Sequence, residues 1–154
     1  MKRRFVLVAA ACFGIAAAAA LPYNDSADAK AELRQALAEA SRSQLPVLVV
    51  FGANWCEDCR ALDAALTNGR SAELMAQSFK VVKVDVGNFN RNLDIAASYG
   101  NPIKKGIPAA VVLSPTNEVL YATRAGELAD ARRMSESGIY DFFKRVAETA
   151  KAKP

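Results

Sequence analysis

Two cysteines, Cys56 and Cys59, stand three apart in the segment Trp55-Cys56-Glu57-Asp58-Cys59-Arg60. They follow an apolar run, Leu45 to Phe51, and precede a stretch with helical character. This order predicts one sulfur at a helix N-terminus and the other one turn further in. Thiol–disulfide exchange needs a thiolate, an accessible sulfur and a second thiol that resolves the mixed disulfide. A sulfur at a helix start meets unpaired backbone N–H groups and the positive end of the helix dipole, which favour its thiolate. Cys56 is therefore the expected nucleophile and Cys59 the resolving thiol. As an inert cross-link the pair would do little, because so short a loop has little denatured-state entropy to lose.

Glu57 and Asp58 oppose the dipole. Carboxylates near a sulfur disfavour a second negative charge. Each effect is about 1 kcal/mol at an exposed site. The expected balance is a thiolate less stabilised than in a strong oxidant, and so a more reducing dithiol. The plain alternative is that both acids are first-turn residues suited to the dipole. The chain contains no histidine, which removes the usual acid–base residue and the commonest metal ligand. Glu57, Asp58 or water is then the candidate to take the proton of Cys59. With three cysteines and no histidine, one chain lacks the four ligands of a closed zinc site, and no metal is expected in the site. Two thiolates would nevertheless suit Cu(I). A copper chaperone, or a binding module without turnover, is the alternative function.

The elements that must position the dithiol follow from periodicity. A helix is predicted over Ala29 to Ser43, capped by Ser26 or Asp28, with Leu33, Ala36, Leu37 and Ala40 on one face. Val47 to Phe51 predicts a buried central strand. Helix is predicted from Cys56 to Leu66, then a shorter one over Ser71 to Ser78. A strand over Val81 to Val86 and a helix over Arg91 to Tyr99 follow. Ala110 to Leu113 and Val119 to Ala122 predict a hairpin, and Ser137 to Lys151 a closing helix. Tyr99, Tyr121, Phe142 and Phe143 are assigned to the core. The first half implies parallel pairing through crossover helices, the second an antiparallel hairpin.

The 154 residues suffice for one domain with a core. Residues 1–20 read as an export signal: Lys2, Arg3 and Arg4, then an apolar run, then Ala18-Ala19-Ala20 as a cleavage site. The 17 residues from Phe5 to Leu21 are at the short limit for a membrane anchor. Residues 21–30 read as a linker, and 31–154 as the domain. The formal charge of +4 belongs mostly to the leader, which holds three of the 20 Lys+Arg and none of the 16 Asp+Glu. The remainder is near balance, so no nucleic-acid partner is expected. Export implies the periplasm or another oxidising compartment, where disulfides persist.

The chain resembles the thioredoxin-fold family. The resemblance is carried by Phe51-Gly52-Ala53-Asn54-Trp55-Cys56-x-x-Cys59, by Val81-Val82-Lys83-Val84-Asp85, and by Tyr99-Gly100 followed by Gly106-Ile107-Pro108-Ala109. It implies an α/β three-layer sandwich, a central mixed sheet flanked by helices, here with an extra N-terminal helix. It implies an exported Dsb-type thiol–disulfide oxidoreductase whose only cofactor is the redox-active disulfide. Protein disulfides are its implied substrates, a membrane electron donor of the Dsb type its implied source of electrons, and a monomer its expected state. It implies a cis Pro108 beside the dithiol, with the backbone of Ile107 free to pair with an extended substrate segment. Trp55 would shield the disulfide and offer contact area. Lys83 stands where thioredoxin's lysine pairs with a buried aspartate, a position that is Val50 here. It would stabilise the Cys59 thiolate, or be a solvated strand-end lysine. Lys104, Lys105 and Arg60 suggest a small basic rim. The stretches Asn101 to Lys105 and Glu127 to Gly138 are longer than in a minimal thioredoxin.

Overall fold

The computed structural model describes residues 20–153. Apart from Ala20, the expected leader and Cys12 lie outside them. Helix α1, Ala29–Ser43, starts where the Asp28 carboxylate accepts the Ala31 N–H at 3.0 Å. It leads into strand β1, Val47–Gly52, whose six residues are all buried. Two helices follow, α2 (Glu57–Leu66) and α3 (Gly69–Ser78), then strand β2 (Lys80–Asp85) and the short helix α4 (Leu93–Ser98). Strands β3 (Ala109–Leu113) and β4 (Val119–Ala122) form the hairpin, and α5 (Glu136–Ala152) closes the chain.

The sheet order is β2-β1-β3-β4. Strand β1 pairs parallel with β2 and antiparallel with β3. The alternation of β1 divides the core in two. Val47, Val49 and Phe51 join Leu33, Ala36 and Ala40 of α1 and Ile95 of α4. Leu48 and Val50 join Leu62 of α2, Met75 of α3 and Phe143 of α5. The result is the predicted three-layer sandwich, with the additional helix before the first strand.

The differences from prediction lie at ends and loops. Helix α4 begins at Leu93 rather than Arg91, because Asn92 has a left-handed φ of 52° and Arg91 turns back to an ion pair with Asp85 at 3.1 Å. Each of the two long stretches holds a 3-10 turn, Pro102–Lys105 and Ala131–Arg133. Of the four aromatics assigned to the core, only Phe143 is fully enclosed. Tyr99, Tyr121 and Phe142 are half-buried, each keeping an edge at the surface.

The segment read as a linker is packed. The Tyr23 ring is buried, and both its backbone groups are held by the side chain of Asn54: the Tyr23 N–H donates to Oδ1 at 2.9 Å, and Nδ2 donates to the Tyr23 carbonyl at 2.7 Å. Gly52, at the end of β1, makes room for that ring. A Cβ there would lie 2.2 Å from the Tyr23 hydroxyl and 2.9 Å from Cys59 Sγ. Gly52→Ala is therefore expected to lower the unfolding free energy by about 1–3 kcal/mol, the usual cost of overpacking. Tyr23→Leu should relieve part of that loss. Urea unfolding of the two single variants and the double variant checks both statements, and simple additivity would contradict the assigned contact.

Candidate active site

Strand β1 ends in the centre of the sheet and delivers the loop Ala53–Cys56 to the start of α2. Cys56 is the N-cap residue of that helix, which begins at Glu57, one residue later than predicted. Its Sγ accepts the backbone N–H of Cys59 at 3.2 Å. The sulfur thus takes the place of the oxygen that usually caps a helix. Cys59 is one turn on, with a Cα–Cα separation of 5.2 Å, and the two form a disulfide. Cys56 is 6% exposed and Cys59 is 1% exposed, so both are buried and Cys56 is the less enclosed of the two.

The register between β1 and β3 brings the second part of the motif to the same place. Phe51 pairs with Ala109, so Ile107 and Pro108 stand beside the loop that follows β1. The Ile107–Pro108 peptide is cis. The Ile107 carbonyl oxygen lies 3.7 Å from Cys56 Sγ. Trp55 is 54% exposed on the other side, its ring fixed by a 2.9 Å hydrogen bond from Nε1 to the Gly87 carbonyl.

The acidic dipeptide has a partner that the sequence did not reveal. The 3-10 turn at Ala131–Arg133 packs on the start of α2. There the Arg132 guanidinium lies 3.0 Å from Glu57 Oε2 and 3.6 Å from Asp58 Oδ2. The Arg132 backbone N–H also donates to Asp58 Oδ1 at 3.0 Å. Both carboxylates face this arginine. Of the basic residues expected at the rim, Arg60 is exposed and its guanidinium donates to the Asn54 carbonyl at 2.7 Å, clipping the active-site loop.

Behind the dithiol a cleft of about 550 Å³ opens between α1, α2 and the edge strand β2. Cys59, Tyr23, Asp63 and Lys83 form part of its wall. Lys83 is opposite Val50 in the parallel ladder, so its own strand neighbour offers it no acid. Asp63, one turn beyond Cys59 on α2, pairs with it instead. Lys83 is therefore an ion-paired residue within β2 rather than a solvated strand end. The acid that β1 lacks is supplied by α2. Burial pushes the Tyr23 phenol up, and the Asp63 and Asp85 carboxylates push it further. The hydroxyl beside Cys59 therefore stays neutral. Among the described residues no group of three or more His, Cys, Asp and Glu side chains is placed to hold a metal.

A family model described as thioredoxin-like matches residues 28–115. The chain belongs to the thioredoxin-like family. No curated protein matches it. Among solved structures it is similar to a disulphide isomerase from Xylella fastidiosa Temecula1, at 53% identity over 84% of this chain and 98% of that one, with a TM-score of 0.82. It also resembles in fold a DsbH oxidoreductase, at 16% identity over 77% of this chain and 81% of that one, TM-score 0.57. A thioredoxin from Thermus thermophilus shares the fold at 21% identity over 75% and 81% of the two chains, TM-score 0.53. This thioredoxin-like chain has an oxidoreductase fold with the Cys56–Cys59 disulfide at the start of α2.

Arg132 faces the dipeptide that flanks the Cys56 sulfur. Its removal leaves two uncompensated carboxylates next to Cys56, which disfavours the thiolate. Arg132→Ala should slow alkylation of the reduced protein by iodoacetamide at pH 7 by up to about fivefold, the scale of an exposed ion pair. An unchanged rate would show that the arginine has no hold on the sulfur.

Proposed function

We propose that this protein is an exported thiol–disulfide oxidoreductase that reduces disulfides in protein partners. The reading is supported above all by one arrangement: the less enclosed sulfur of the pair caps α2 and stands beside the Ile107 carbonyl, while its partner is almost fully enclosed. An incoming disulfide therefore meets Cys56 first. Its thiolate attacks one partner sulfur, the partner's S–S bond breaks, and a thiolate leaves. Cys59 then gives up its proton and attacks Cys56 Sγ. The mixed disulfide breaks, the second partner sulfur leaves and takes a proton, and the Cys56–Cys59 disulfide forms. Two electrons pass from the dithiol to the partner. In the cell a membrane donor of the Dsb type would restore the dithiol.

Asp63 takes the proton of Cys59 in this scheme. Glu57 and Asp58 are engaged by Arg132 on the outer side of the helix. Asp63 shares the cleft wall with Cys59 and is held there by Lys83. The reducing direction is supported by the dipeptide. A single amide bond to the sulfur, with two carboxylates close by that the exposed Arg132 offsets only in part, favours the thiolate less than a helix start without acids would. Pro108 and Ile107 shape the wall against which a partner strand would lie. Export is supported by Lys2, Arg3 and Arg4 before an apolar run. Among the described residues no helix is long and apolar enough to cross a membrane.

Insulin reduction with dithiothreitol tests the activity: turnover is expected from the protein and none from Cys56→Ser. A protein that binds Cu(I) when reduced but leaves insulin intact would replace this reading with the copper one. Asp63→Asn should slow resolution of a preformed mixed disulfide at Cys56 by about a hundredfold, the low end of general-base contributions. Attack by Cys56 on a small disulfide should be unaffected. Stopped-flow measurement of the two steps separates them, and equal slowing of both would deny Asp63 that role.

A further inference from the structure

Beside the dithiol, but outside its chemistry, is a second surface. The loop after β2 is braced at both ends. Asn90 and Arg91 donate their N–H groups to the Val86 carbonyl at 3.1 and 3.3 Å, and Asn92 Nδ2 donates to the Asp85 carbonyl at 2.8 Å. Between these braces Phe89 is held at a φ of 58°, a left-handed conformation that bulky residues rarely adopt. The strain does not serve to bury the ring, which is 45% exposed. Backbone strain of this kind persists where the surrounding structure enforces it, and it clusters at functional sites. The Phe89 ring lies 6.2 Å from that of Trp55, within the range of aromatic pairs.

Phe89 also forms one wall of a cleft of about 540 Å³. Leu93 continues that wall at 42% exposure, and Ile103 and Lys104 of the 3-10 turn form the opposite one. Trp55, Phe89 and Leu93 are three of the six large hydrophobics left exposed among the described residues, and they are linked through the Phe89 ring. Lys104 is the single charged residue in the lining. The 3-10 turn runs directly into Gly106 and Ile107, so the cleft is continuous with the backbone beside Cys56.

We propose that this cleft binds the partner polypeptide itself, taking a bulky apolar side chain that flanks the partner's cysteine, with an adjacent acidic residue facing Lys104. The inference rests on the reading of Cys56 as the sulfur that meets partner disulfides. It adds a substrate class: extended segments with an aromatic or large aliphatic residue and a carboxylate near the cysteine, rather than any accessible disulfide.

Trp55 is the chain's one tryptophan, so its emission reports occupancy directly. The oxidised protein would be titrated with two peptides that carry Ser in place of Cys, one with Phe-Asp beside that position and one with Ser-Lys. Binding then needs no electron transfer and is read apart from turnover. The Phe-Asp peptide should bind at least about tenfold more tightly, the worth of one well-buried apolar side chain. Phe89→Gly should abolish that preference, and Lys104→Glu should weaken Phe-Asp binding about threefold, as expected of an exposed charge pair. The Tm of Phe89→Gly should stay level or rise, because glycine accepts the left-handed backbone. Equal affinity for the two peptides, or no binding of either, would overturn the proposal. A loss of binding together with a lowered Tm in Phe89→Gly would make Phe89 a structural residue and overturn it as well. Failure of insulin reduction with peptide preference intact would instead count against the redox reading alone.

Discussion

A sulfur atom caps helix α2, and the arrangement of the site depends on that bond. Helix starts carry unpaired N–H groups, which usually find an oxygen. Here Cys56 Sγ accepts from Cys59 N–H, so the same contact closes the helix and favours negative charge on that sulfur. It also fixes where the second sulfur stands, because the donating amide belongs to Cys59. The sheet must then bring a chain beside this cap without blocking it. Antiparallel β3 does so: its register against β1 sets Ile107 and Pro108 next to the loop.

Around this centre the charges are divided between two sides of α2. Glu57 and Asp58 face outward to Arg132, whose chain position is far away. Asp63 faces the cleft and Lys83, close to the enclosed sulfur. The two sides therefore surround the two sulfurs differently, one beside the helix cap at Cys56 and the other along the cleft wall at Cys59. Tyr23 packs against Gly52 at the end of β1, beside the second group. The phenol, kept neutral by burial and by nearby carboxylates, fills space there without adding charge.

Much of this was legible from the chain alone, where the signal was local. The apolar run of β1, the 3, 4 spacing in α1, the hairpin and the cysteine spacing each report on neighbours a few residues apart, and each element is present in the structure. Asp63 was readable in principle, since residues four apart share a helix face and Cys59 marks which face is inward. The resemblance instead places the partner of Lys83 at position 50, which is valine here. Arg132 and Tyr23 left no such trace. Their contacts join residues 74 or 75 and 31 positions apart, and neither sits in a periodic pattern that points to the site. Phe89 was missed for another reason: its left-handed backbone comes from how the loop is braced by Asp85 and Val86.

The contact between Arg132 and the dipeptide has a consequence for engineering. Transplanting another protein's pair of residues between the cysteines would leave a guanidinium facing the positive end of a helix with nothing to neutralise it. Trimming the Glu127 to Gly138 stretch would strand two carboxylates instead. The intercysteine pair and this distant loop therefore form one exchangeable cassette, and redesign of the redox centre must swap both halves together.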